Sequence, residues 1–164
     1  LDGIGLQAHF DLRLTAPSRL LSVLDQYALL GKPIVITEFD IEVDDERLRA
    51  DYLRDFMTVA FSHPGVTGVL IWEFWQGMDS ESPNAAVLFS KDWTLKPSGL
   101  AWKDLVFGRW WTSASGQSDA AGRFKARGFL GSYELRVTAP GHKTSTVSIE
   151  LKSEGASVRV PMML

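Results

Sequence analysis

Cysteine is absent from the sequence, which removes disulfide bonds, thiolate zinc sites and thiol nucleophiles together and leaves the redox compartment open. Long apolar runs are missing as well. Stretches such as Val69 to Trp72 fall far short of the ~20 residues a membrane helix needs, so no membrane partner is expected. Nor does one sign of charge dominate: 17 basic and 20 acidic residues leave a formal net charge of -3, with the basic residues scattered. Neither nucleic acid nor an anionic surface is implied, and a neutral ligand fits better. No grouping of His with Asp or Glu has metal-site spacing, and no cofactor is expected. The chain opens at Leu1 within an apolar pattern, without an initiator Met or a charged-then-apolar leader, and reads as an interrupted chain.

What is present is apolar material, 45% of 164 residues, enough for one ordinary domain or for part of a larger one plus a small module. Three short β-prone segments, Gly3 to Leu6, Ile34 to Thr37 and Val66 to Trp72, recur at roughly the length of one βαβ unit. The first gap reads as a helix with Ser18 as N-cap after Pro17, an apolar stripe of Leu20, Leu21, Leu24, Tyr27 and Ala28, and Gly31 as the stop. In the second gap, Asp44 and Asp45 open a helix whose expected face is Leu48, Tyr52, Phe56, Val59 and Ala60, ended by Ser62-His63-Pro64-Gly65. A further helix starts near Pro97, with Leu100, Ala101, Leu105 and Val106 as its apolar positions. Parallel strands need crossover helices, so this order predicts an α/β fold, either a doubly wound sheet or a TIM barrel. Beyond Phe107, glycine turns punctuate short alternating stretches such as Tyr133, Leu135, Val137 and Val147, Ile149, Leu151, which predicts a separate small β module. The expected division is 1–107 and 108–164.

Chemistry gathers at the strand ends. Ile34-Val-Ile-Thr-Glu-Phe-Asp40 finishes an apolar strand with two carboxylates spaced two apart, which tend towards one side of a strand. Acids at that end are costly to bury unless used, although a helix-capping or salt-bridged role just past the strand is the plainer alternative. Gln7 and His9 repeat the spacing on the first strand, and a lone His is more often structural than catalytic. Two adjacent strands with paired polar ends suggest one cleft lined by Gln7, His9, Glu38 and Asp40. Trp72 ends the third strand, where an indole could floor a sugar ring. Trp75, Trp93, Trp102, Trp110 and Trp111 are read first as packing residues, and His63 and His142 as solvent-facing or locally hydrogen-bonded.

Leu1-Asp-Gly-Ile-Gly-Leu-Gln-Ala-His9, Pro33-Ile-Val-Ile-Thr-Glu-Phe-Asp-Ile41 and Gly68-Val-Leu-Ile-Trp72, in that order, resemble strands six, seven and eight of the family 10 endo-xylanases, over about residues 1 to 106. Lys91-Asp-Trp-Thr-Leu-Lys-Pro97 is similar to the segment before that family's last helix, and the β module is similar to an appendage of some plant and bacterial members. The resemblance implies a partial TIM (β/α)8 barrel followed by a small all-β sandwich-like module. It further implies a retaining endo-1,4-beta-xylanase fragment with xylan or xylo-oligosaccharide as substrate, and secretion. By position, Glu38 matches the catalytic nucleophile, His9 and Asp40 the pair that orients it, Gln7 a residue of the sugar site and Trp72 the indole under the sugar. Trp75 is the candidate for a second substrate-binding Trp. The family's acid/base Glu comes from an Asn-Glu motif on strand four, and this sequence contains no Asn-Glu pair. Without the N-terminal barrel half the chain is therefore expected to be inactive. Two alternatives stand beside this reading: a non-catalytic carbohydrate-binding or structural module, and a retaining barrel glycosidase acting on another β-glycan.

Overall fold

A computed structural model describes residues 1–78 and 88–164; residues 79–87, inside the long aromatic segment from Phe74 to Lys96, lie outside the described residues. The chain divides into two units, Leu1–Gly108 and Arg109–Leu164. The first runs β1 (Ile4–Phe10), α1 (Pro17–Ala28), β2 (Ile34–Ile41), α2 (Glu46–Ser62), β3 (Val66–Ile71) and α3 (Pro97–Asp104), and a π-helical turn at Leu105–Arg109 follows at the boundary between the units. The three strands form one parallel sheet in the order β1-β2-β3, as crossover connections require.

β1 and β2 are longer than the sequence suggests, because the polar residues at their ends stay in the ladder rather than following it. Gln7 pairs with Glu38, and His9 with Asp40. The register holds an irregularity that decides the site. Leu6 pairs with Ile36 but Gln7 with Glu38, so Thr37 is an extra residue on β2 and its hydroxyl donates to the Leu6 carbonyl at 3.2 Å. A bulge of this kind breaks the period-two alternation and re-aims the following side chains. Ile36, before the bulge, and Phe39, after it, therefore both meet α2. Ile36 lines a cavity of about 380 Å³ with Phe56 and Ala60, while Phe39 stacks on Phe56 with ring centroids 4.1 Å apart. Glu38 and Asp40 are left on the other face. Without the bulge they would share a face with Ile34 and Ile36.

α2 begins at Asp45, whose carboxylate accepts from the Arg47 and Leu48 amides at 2.9 and 3.0 Å and so satisfies two otherwise unpaired donors. Its buried stripe is Arg49, Tyr52, Leu53, Phe56, Met57 and Ala60. The expected stripe is thus rotated towards Leu53 and Met57, and Leu48 is exposed because it precedes Arg49 by one residue and falls off that face. Arg49 is only 1% exposed; its guanidinium donates to Glu46 at 3.1 Å and to the Val43 carbonyl. α1 starts at Pro17 behind Ala16, with no side-chain cap, so Ser18 lies inside the helix rather than capping it. Gly31 takes φ +63°, the left-handed turn that ends such helices at no Cβ cost. Along α3, Ser98 and Gly99 are buried while Leu100 is exposed; of the other expected positions, Leu105 just beyond the helix is buried and Ala101 and Val106 are half-buried.

In the second unit, β4 (Gly131–Val137) and β5 (Ser145–Leu151) pair antiparallel from Gly131↔Leu151 to Val137↔Ser145. Where a small sandwich is expected, the described residues form this one two-stranded sheet. Its apolar face, including Tyr133, Leu135, Val147 and Ile149, is half-buried, as alternation predicts for one covered side. No helix among the described residues is long and apolar enough to cross a membrane.

Candidate active site

Gln7, His9, Glu38 and Asp40 are brought together on one face of the β1–β2 ladder. The Gln7 amide donates to Glu38 Oε1 at 2.8 Å, and His9 Nε2 lies 3.0 Å from Glu38 Oε2. On its other side, His9 Nδ1 lies 2.7 Å from Asp40 Oδ2. The imidazole therefore bridges two carboxylates, with side chains graded from open to enclosed: His9 43% exposed, Glu38 22% and Asp40 5%. Each Glu38 oxygen has one partner, which fixes the plane of the carboxylate while leaving part of it open to solvent.

The electrostatics follow from this gradient. Burial opposes the imidazolium of His9, but the hydrogen bonds and charges of Asp40 and Glu38 together outweigh it and hold the ring above its ordinary value of 6.5. Protonated, His9 donates from both nitrogens; neutral, it can donate from only one and must turn a lone pair towards the other carboxylate. For Asp40, burial pushes the carboxyl above its usual range, His9 pulls it back, and the charge of Glu73 adds to the push. Asp40 Oδ1 is buried without a hydrogen-bond partner among the described residues. His9 and the Phe10 backbone offset part of the cost of burying the carboxylate.

Trp72 follows β3 directly. Its amide donates to the Phe39 carbonyl at 2.9 Å, and its ring meets His9 edge-on at a centroid distance of 6.3 Å. Trp75 lies elsewhere in the segment, stacked on Trp93 at 4.6 Å. Glu73 is not among the residues that the sequence singles out, yet it acts electrostatically on Asp40 and sits at φ +51°, a conformation costly for a non-glycine residue. Spacing does not reveal it, because its influence depends on a backbone turn that follows β3. His63 is buried and locally bonded: its Nδ1 accepts from the Gly65 amide at 3.1 Å, and its Nε2 lies 3.4 Å from Asp25. His142 is exposed beside the Pro140 carbonyl. Among the described residues no group of three His, Cys, Asp or Glu could hold a metal ion.

Residues 1–104 match the sequence profile of glycosyl hydrolase family 10. This chain belongs to that family. Among curated relatives it is 38% identical over 141 residues to an anti-sigma-I factor of Acetivibrio thermocellus, a match covering 86% of this chain and 18% of that protein. It is 36% identical over 135 residues to endo-1,4-beta-xylanase 1 of Arabidopsis thaliana, covering 82% of this chain and 14% of the xylanase. The chain thus spans less than a fifth of either relative's length. Among solved structures, xylanase 10B of Thermotoga petrophila in complex with xylobiose aligns with a TM-score of 0.55 at 26% identity, covering 63% of this chain and 36% of that one. The three parallel strands and their helices correspond to part of a family 10 barrel.

Proposed function

We propose that the chain supplies strands six, seven and eight of a retaining endo-1,4-beta-xylanase, with Glu38 as the nucleophile. One observation carries this reading: Glu38 presents a partly open carboxylate whose two oxygens are held by Gln7 and His9, and His9 in turn meets the Trp72 ring edge-on. A carboxylate with fixed oxygens and an open approach suits attack on an anomeric carbon, with a glycosyl ester forming on Glu38 as the leaving sugar departs. Asp40 orients His9 and His9 orients Glu38, so both are positioning residues for the attack. Gln7 and Trp72 line the sugar site.

Retaining hydrolysis needs a second carboxyl about 5 to 5.5 Å from the first, to protonate the departing oxygen and then activate water. Asp40 does not fit that part, being buried and bound to His9. The acid/base therefore comes from a barrel segment outside this sequence, which holds no Asn-Glu pair. The domain division at 107/108, with a β module that serves as scaffold, belongs to the same proposal.

The test is complementation. Supplying the first five strands of a family 10 barrel should restore xylan cleavage, and Glu38→Gln should abolish it; undiminished cleavage by the Gln variant would refute the role. A second reading, sugar binding without turnover, draws support from the anti-sigma-I factor, a regulatory protein by its name, whose similarity extends over 86% of this chain. Xylo-oligosaccharide binding by a complemented protein with no cleavage would favour it.

A further inference from the structure

Beyond the strand ends, an aromatic group occupies the segment after β3 and before α3. Trp75 and Trp93 stack nearly parallel, 13° apart with centroids at 4.6 Å, and Phe74 and Phe89 lie against Trp93 at 6.4 and 5.8 Å with tilted rings. The cluster is not a closed core: Trp93 is 56% exposed, and Phe74 is exposed as well.

The backbone makes the exposure harder to ascribe to packing. Trp93 adopts φ +66°, a left-handed conformation that bulky residues rarely take. It is held there by a tight turn in which the Trp93 amide donates to the Ser90 carbonyl at 2.9 Å, the Ser90 amide to the Thr94 carbonyl at 2.8 Å, and the Thr94 amide to the Asp92 carboxylate at 3.0 Å. Strain of this sort persists where the surroundings impose it, and it concentrates at ligand-binding positions. The ring beneath is fixed as well. Trp75 Nε1 donates to the Lys91 carbonyl at 3.2 Å, and Gly77 passes so close that a Cβ there would fall 2.1 Å from Trp75 Cζ2. Glycine is needed at 77 for that approach.

We infer that Trp93, supported on Trp75, is a stacking platform for a pyranose ring of a xylan chain, separate from the Glu38 network. The C–H face of a xylose ring is flat and apolar and matches an exposed indole, while its hydroxyls remain in water. Because both rings are already held, little side-chain entropy is lost on binding. Trp75 then acts as the support, and Trp93 makes the contact. The choice of xylan rests on the function proposed above, whereas the platform itself does not require Glu38 to act.

Calorimetric titration of the 164-residue chain with xylohexaose, using wild type, Trp93→Gly and Trp93→Phe, tests the inference. Glycine accepts φ +66° and preserves the turn, so cooperative urea unfolding should report a retained fold. Its affinity should fall about tenfold, with phenylalanine intermediate at roughly threefold. Unchanged affinity in both variants, or no binding by folded wild type, would overturn the platform. Should the glycine variant unfold, the phenylalanine variant carries the comparison alone. The readout is binding, so hydrolysis that survived Glu38→Gln would sink the nucleophile assignment and leave this result standing.

Discussion

Replacing Asp40 by Asn separates the charge of the buried carboxylate from its shape. The amide side chain would keep an acceptor opposite His9 Nδ1, now 2.7 Å from Asp40 Oδ2, and would place its NH2 where Oδ1 has no hydrogen-bond partner among the described residues. What is lost is charge assistance: such a hydrogen bond contributes about 1.5 to 3 kcal/mol, against about 0.5 to 1.5 for a neutral one. Solvent screens the 43% exposed imidazole, and removing a buried charge that also opposes Glu73 returns part of the loss. The net cost should be about 1 kcal/mol where His9 is protonated, a drop in urea midpoint of roughly half a molar. The sign of the pH dependence is fixed. His9 is raised in the folded state, so its contribution is complete below 6.5 and disappears as pH climbs through its folded value. Asp40 is also raised in the folded state, so its titration likewise lowers stability with rising pH, in a window starting from 3.8. Urea unfolding of wild type and Asp40→Asn at about pH 6 and about pH 9 should show the difference at the lower pH shrinking at the higher. Equal stability at the lower pH, or a gap that widens with pH, would refute the bridging role of His9.

Two further outcomes concern what holds the site in place. Leu53 is fully buried on α2, and Leu53→Ala should cost about 2 to 5 kcal/mol in urea unfolding, as cavity-forming substitutions do; a loss below about 1 kcal/mol would mean the α2 face is misassigned. Asp45→Ala removes two cap hydrogen bonds and should cost about 1 kcal/mol, whereas Asp45→Asn should cost only a few tenths.

The alternation of β-prone and helical segments is readable because parallel strands and their crossovers impose distinct periods, and Gly31, Asp45 and Pro97 mark boundaries through local chemistry. The pairing of Gln7 with Glu38 and His9 with Asp40 is suggested by matched spacing on two strands. The bulge at Thr37 is not, although it decides which face the carboxylates occupy, because it arises from the fit between strands rather than from β2 itself. Arg49 escapes notice for a similar reason. A charged residue on a buried stripe makes sense only once Glu46 and the Val43 carbonyl are seen to receive it. Trp93 reads as packing in the sequence, since composition cannot tell a buried indole from one held outward by a left-handed turn.

Trapping the covalent intermediate bears most directly on the central claim. A 2-fluoro-xylobiosyl inactivator should be turned over to a stable ester when the complemented barrel is present, and peptide mass spectrometry should place the added sugar on the segment containing Glu38. An adduct on any other carboxylate, or xylan cleavage with inverted anomeric configuration, would contradict the account.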